Sequence, residues 1–151
     1  MTGWRLSDGV PDPAAVTGPD FLTAFRDFAV GRGLPARTTP WSLVGTWESF
    51  VDQVVEGYDW YIEEYENEIG VRRLLEDVLH DAALGAFEQV TTTMTERVAA
   101  ADEQFRAALL PGVAVGSPDE PWWLRGVPAR AGERFATDLK TMYGIEVVVV
   151  G

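Results

Sequence analysis

Apolar residues recur every three or four positions over most of this chain, which is the signature of helices that bury one face. Phe21, Leu22, Phe25, Phe28 and Ala29 predict a short amphipathic helix over 20–33, closed by Gly31 and Gly33 ahead of Leu34 and Pro35. The strongest pattern follows. Leu43, Trp47, Phe50, Val51, Val54, Val55, Tyr58, Tyr61, Ile62, Tyr65 and Ile69 predict one long helix over 42–69 with Ser42 as its N-cap. Past Gly70 the apolar stripe changes phase, because Leu74 and Val78 project to the opposite side of the same wheel. A chain reversal with a left-handed Gly70 is the simplest cause. A second long helix is predicted over 71–110, with Leu75, Leu79, Phe87, Met94, Val98 and Phe105 on its buried side. Gly85 and the three consecutive β-branched residues Thr91, Thr92 and Thr93 mark places where it should bend.

The flanks read differently. Pro11, Pro13 and Pro19 with Gly3, Gly9 and Gly18 predict an irregular arm over 1–19, anchored by Trp4 and Leu6. Residues 111–121 are loop. Pro128 suits the first position of a helix over 128–143 that carries Phe135, Leu139 and Met142 and stops at Gly144. Ile145 and the run Val147 to Val150 predict a strand over 145–150, which needs a partner for its backbone groups. Gly3 to Leu6, Val113 to Val115 or the same strand of another copy could supply it, the last making a homo-oligomer. The expected fold is therefore mainly α, in a single domain: an antiparallel hairpin of two long helices, one or two shorter packed helices, and a minor C-terminal strand.

Composition narrows the class. The chain has 151 residues, of which 40 are Leu, Ile, Val or Phe, enough to build a core at this length. It has no cysteine, which excludes disulfides, thiolate metal sites and a cysteine nucleophile. No apolar leader or membrane-length apolar run is visible, so a cytoplasmic location without membrane contact is expected.

Charge changes the picture most. The formal net charge is −12, and between Thr38 and Val71 there are eight acids and no Lys or Arg. On the predicted 42–69 helix, Glu48, Asp52, Glu56, Asp59, Glu63 and Glu66 fall on one flank, about 100° to 180° from Trp47. Five successive like-charge pairs at these spacings would each cost the helix roughly 0.2 to 0.5 kcal/mol. Internal arginines, namely Arg72, Arg73, Arg97 or Arg106, offer one explanation of what offsets that cost. A cationic partner protein offers the other, through long-range attraction. Trp60 projects away from the apolar stripe, and an indole among polar residues is a common interface hot spot. The expected partner-binding set is thus Glu48, Asp52, Glu56, Asp59, Trp60, Glu63 and Glu66, facing a basic protein.

Catalytic patterns are sparse. Glu76, Asp77 and His80 have helical metal-ligand spacing, but His80 is the sole histidine and such sites draw on several helices. Gly31, Gly33 and Ala36 spell a dinucleotide-like motif without the strand that must precede it. Lys140, the only lysine, follows no glycine-rich loop. No catalytic residue, metal or cofactor is expected, and a non-enzymatic role is favoured. Direct nucleic-acid binding is disfavoured, because Arg125, Arg130, Arg134 and Lys140 are diluted by Glu133 and Asp138. The alternative is a small-molecule binder or enzyme with an aromatic pocket in the hairpin, lined by Trp47, Tyr58, Tyr61, Tyr65, Trp122 and Trp123. Small size, strong acidity and absent cysteine are similar in composition, though in no motif, to antitoxin- and immunity-type inhibitors.

Overall fold

The computed structural model describes residues 13–151, so Trp4, Leu6 and the Gly3 to Leu6 strand candidate lie outside the described residues. The chain is mainly helical with one small two-stranded sheet. Its elements run α1 (Pro13–Gly31), α2 (Pro40–Glu56), α3 (Ile62–Leu79), α4 (Ala82–Gly85), α5 (Glu88–Ala107), α6 (Trp122–Arg125), β1 (Arg130–Ala131), α7 (Glu133–Tyr143) and β2 (Val148–Val149). No helix among the described residues is long and apolar enough to cross a membrane.

The first helix starts earlier than the breaker residues suggested. Pro13 to Thr17 is helical, Gly18 leaves the helical region at φ 71° and ψ 159°, and Pro19 reopens the helix where a missing N–H costs nothing. The expected boundary at residue 20 therefore marks a kink.

The 42–69 helix is two helices. α2 opens on Thr39, whose hydroxyl accepts from the Ser42 N–H at 3.0 Å while the Ser42 hydroxyl accepts from the Thr39 N–H at 2.9 Å. Ser42 is thus the third helical residue of a capping box, with Pro40 at the first position. α2 ends at Gly57, in the left-handed region at φ 117°, where a Cβ would also lie 2.2 Å from the side chain of Val150. Only glycine meets both conditions. The chain turns there, not at Gly70, which sits inside α3 with open space beside it. Val51, Val54, Tyr58, Ile62, Tyr65 and Ile69 are all buried, and their spacing looks helical although 57–61 is loop. A buried loop tyrosine kept the period alive across the break.

The 71–110 helix is likewise divided. Its first part is the end of α3, whose buried stripe continues through Arg72, Leu75 and Val78. The break expected near Gly85 is real: Asp81 caps α4 by accepting from the Leu84 N–H at 3.1 Å, and α5 begins at Glu88. The threonine run causes no break. Thr91 and Thr93 bond back to carbonyls of the preceding turn, and α5 runs through them.

The helix expected from Pro128 starts at Glu133. Residues 127–131 are extended because their backbone is already engaged: Leu110 N donates to Val127 O at 2.8 Å and Ala129 N donates to Ala108 O at 2.9 Å. On the other side, Val148 N and Val150 N donate to Ala129 O and Ala131 O. The C-terminal strand therefore pairs in parallel with Arg130–Ala131, a partner outside the three candidates, with α7 as the crossover. Phe50, Tyr58, Tyr65 and Phe135 form the aromatic centre where α2, α3 and α7 meet.

Candidate functional site

The loop between α2 and α3 is held by α7. Gly132 N donates to Tyr58 O at 2.8 Å, an Arg134 guanidinium N–H donates to Asp59 O at 3.3 Å, and the Asp138 carboxylate accepts from Ile62 N at 2.8 Å. Asp138 thereby caps α3, whose own N-cap residue Tyr61 makes no side-chain cap bond. Asp59 returns the favour by lying against Gly132, where a Cβ would come within 2.1 Å of its carboxylate oxygen, at the electropositive end of α7.

That loop displays two aromatic side chains. Trp60 is 50% exposed and Tyr61 is 47% exposed, and the Arg134 guanidinium lies 5.1 Å from the Trp60 ring centroid and 5.9 Å from that of Tyr61. The guanidinium touches the indole, a contact worth about 0.5 to 1 kcal/mol at an exposed site, and leaves half of it open to solvent.

The carboxylates have divided fates. Glu48 is neutralised by Arg97, with Arg97 Nε donating to Glu48 Oε2 at 3.0 Å and a second bond beside it. The Asp59 carboxylate is exposed, lies against Gly132 and makes no ion pair among the described residues. Asp52, Glu56, Glu63 and Glu66 are exposed and make no ion pair among the described residues. Glu56 ends α2 and Glu63 opens α3, so both flank the aromatic loop within a helical turn. Splitting the helix leaves three of the five like-charge pairs on helices, which lowers the expected repulsion. Of the other arginines proposed as internal partners, Arg73 reaches Glu120 at 3.2 Å and Arg106 lies 3.8 Å over the Trp122 ring.

Arg72 serves a different acid. It makes two hydrogen bonds to Asp102 at 2.9 and 2.8 Å and one to Glu76 at 2.7 Å, and its guanidinium lies 4.4 Å from the Trp123 ring centroid. Burial alone would lower the pKa of Arg72, but these carboxylate bonds outweigh it and raise it. Trp47 Nε1 also donates to Asp102, at 3.0 Å. Glu76 and Asp77, two of the three residues at metal-ligand spacing, thus face Arg72 and Arg32.

The six aromatic residues expected to line one pocket are scattered. Trp47 and Tyr58 are core residues at 0% and 1% exposure, and the Tyr58 hydroxyl donates to Glu68. Trp122 and Trp123 pack under arginines, and Tyr61 faces solvent. Only Tyr65 borders a substantial cleft, of about 340 Å³, between α3, α7 and the 115–128 segment. Its other walls include Ile62, Ile69, Val115, Leu124, Val127, Phe135, Leu139 and Tyr143. Ile62, Tyr65 and Ile69 belong to one helical stripe and Phe135 and Leu139 to another, but these stretches are distant in the chain, so no local signal showed that they meet at one cleft. Comparison with known proteins assigns no relative: no family, no curated protein and no solved structure matches this chain.

Proposed function

We propose that this chain is a non-enzymatic binding module that engages a basic protein surface through Trp60, Tyr61 and the carboxylates of Asp52, Glu56, Glu63 and Glu66. One observation carries the reading: a half-exposed indole, contacted by Arg134, stands near carboxylates that have no internal cation among the described residues. An ordered aromatic anchor loses little freedom on binding, and unpaired acids around it raise the encounter rate with a cationic partner. Glu48 acts within the fold, as a tie to α5, and leaves the contacting set, while the exposed Asp59 carboxylate stays beside the aromatic loop, against Gly132. A face of this kind suits a basic surface that otherwise meets nucleic acid, in the manner of an inhibitor.

Affinity capture with the full chain tests this. A partner rich in Lys and Arg should be retained by the wild type, released by heparin, and lost with both Trp60→Ala and the triple variant Glu56→Lys/Glu63→Lys/Glu66→Lys. Retention of the same proteins by both variants would refute the proposal.

A further inference from the structure

A second groove, of about 310 Å³, runs between one face of α1 and the segment that leads from α1 into α2. On α1, Leu22, Phe25, Arg26, Ala29 and Val30 stand at i, i+3, i+4, i+7 and i+8 and so share that face. Gly33, at φ 69°, ends the helix in a left-handed turn, in which Gly33 N donates to Val30 O at 3.1 Å and Leu34 N donates to Ala29 O at 2.9 Å. Leu34, Pro35 and Ala36 follow this turn as the opposite wall, and Pro40 continues it at the start of α2. Leu22 is 43% and Val30 72% exposed, so apolar surface stays open to solvent beside the buried Phe25 and Ala29.

The charge of this groove is opposite to that of the molecule. Arg26 and Arg37 belong to its wall, both are exposed, and neither makes an ion pair among the described residues. None of the described residues lining it is an acid, in a chain with 24 Asp or Glu against 12 Lys or Arg. Thr39 and Pro40, which open α2, line it as well, so the positive end of that helix dipole adds to the same potential. Arginine stems extend apolar surface while their guanidinium groups reach solvent, and a guanidinium takes a carboxylate through two parallel N–H bonds. We propose that the groove between α1 and the 34–40 segment binds a small aliphatic monocarboxylate, with its chain against Phe25, Ala29 and Leu34 and its head group at Arg26 and Arg37. The groove holds the volume of about ten water molecules, which matches the roughly ten non-hydrogen atoms of octanoate. This site does not depend on the basic-partner reading, whose face carries the opposite charge.

Isothermal titration calorimetry of the full chain at about pH 7, where octanoate is ionised, tests it. Octanoate should saturate at one per chain and bind at least about five-fold more tightly than 1-octanol, although the neutral alcohol is the more apolar of the two. Arg26→Gln/Arg37→Gln changes only exposed positions, and should weaken octanoate at least about five-fold while leaving octanol unchanged. Ala29→Phe should abolish binding of both by filling the trough. If that buried position does not tolerate the ring, Ala36→Trp on the exposed wall decides the same point. Unsaturable binding, octanol held as tightly as octanoate, or octanoate binding unchanged in the double glutamine variant or in a folded filled variant would each overturn the proposal. Displacement of octanoate by a synthetic peptide of residues 1–12 would overturn it too, by giving the groove to the start of the chain.

Discussion

A single hydroxyl and a single guanidinium show how differently buried polar groups behave. The Tyr65 hydroxyl has no partner among the described residues, so Tyr65→Phe should raise stability by up to about 1 kcal/mol, read as a higher urea midpoint with an unchanged slope. A lower midpoint would mean that the hydroxyl has a partner in solution. Arg72 is the opposite case, being buried but bonded to two carboxylates and stacked on Trp123. Arg72→Met should cost about 3 to 5 kcal/mol, because Asp102 would keep its charge without its cation. Arg72→Met/Asp102→Leu should recover a large part of that loss, and additive losses in urea unfolding would contradict it. From sequence, Arg72 stood out only as a candidate neutraliser of the acidic flank. Its true partner, Asp102, is 30 residues away and carries no local mark.

Among elements, the clearest lesson lies in helices completed by their neighbours. α3 has no side-chain cap of its own and borrows Asp138 from α7. Asp138→Ala should therefore destabilise by about 1 kcal/mol, and the amides opening α3 should lose hydrogen-exchange protection before those of α5. Equal loss across both helices would indicate a global effect with no local cap. The same dependence explains which helix limits were legible. Thr39, Pro40 and Ser42 are a local start signal and Gly57 a local stop, yet the period of buried residues running through Tyr58 masked that stop. The delayed start of α7 had no local signal at all, because residues 127–131 are held extended by the 108–110 segment and the C-terminal strand.

For the whole molecule, net charge and buried phenols set the response to conditions. With a formal charge of −12 and exposed, unpaired acids around the aromatic loop, raising ionic strength to about 0.15 M should raise the melting temperature near neutral pH. A flat response would mean that the carboxylates are already neutralised. At alkaline pH the sign is set by tyrosines. Burial first, then Glu68 for Tyr58 and Tyr143 for Tyr65, raise both folded pKa values above the ordinary 10.0. Their contribution is complete below pH 10 and is lost above it, as phenols ionise in the unfolded chain but not in the folded one. Stability should fall by about 1.4 kcal/mol per pH unit for each of the two while it stays neutral, with the full tyrosinate absorbance of the four tyrosines reached only as the chain unfolds. Tyrosinate absorbance reaching its full value before any loss of helical signal would contradict this.

By itself, the amino-acid pattern determined that the molecule is mainly helical, that its negative charge concentrates before Val71, and that Trp60 stands outside the buried stripe. These follow from periodicity and charge, which act over a few residues. The break at 57–61 beneath the unbroken buried stripe, which acids are neutralised, what the last strand pairs with and which residues enclose the cleft were decided only by tertiary structure. The reason is that each depends on a group far along the chain: Val150 against Gly57, Arg97 on Glu48, Arg130–Ala131 beside Val148–Val149, and Tyr65 facing Phe135. No spacing rule reaches across such distances, because the pairing is made by packing of already formed elements.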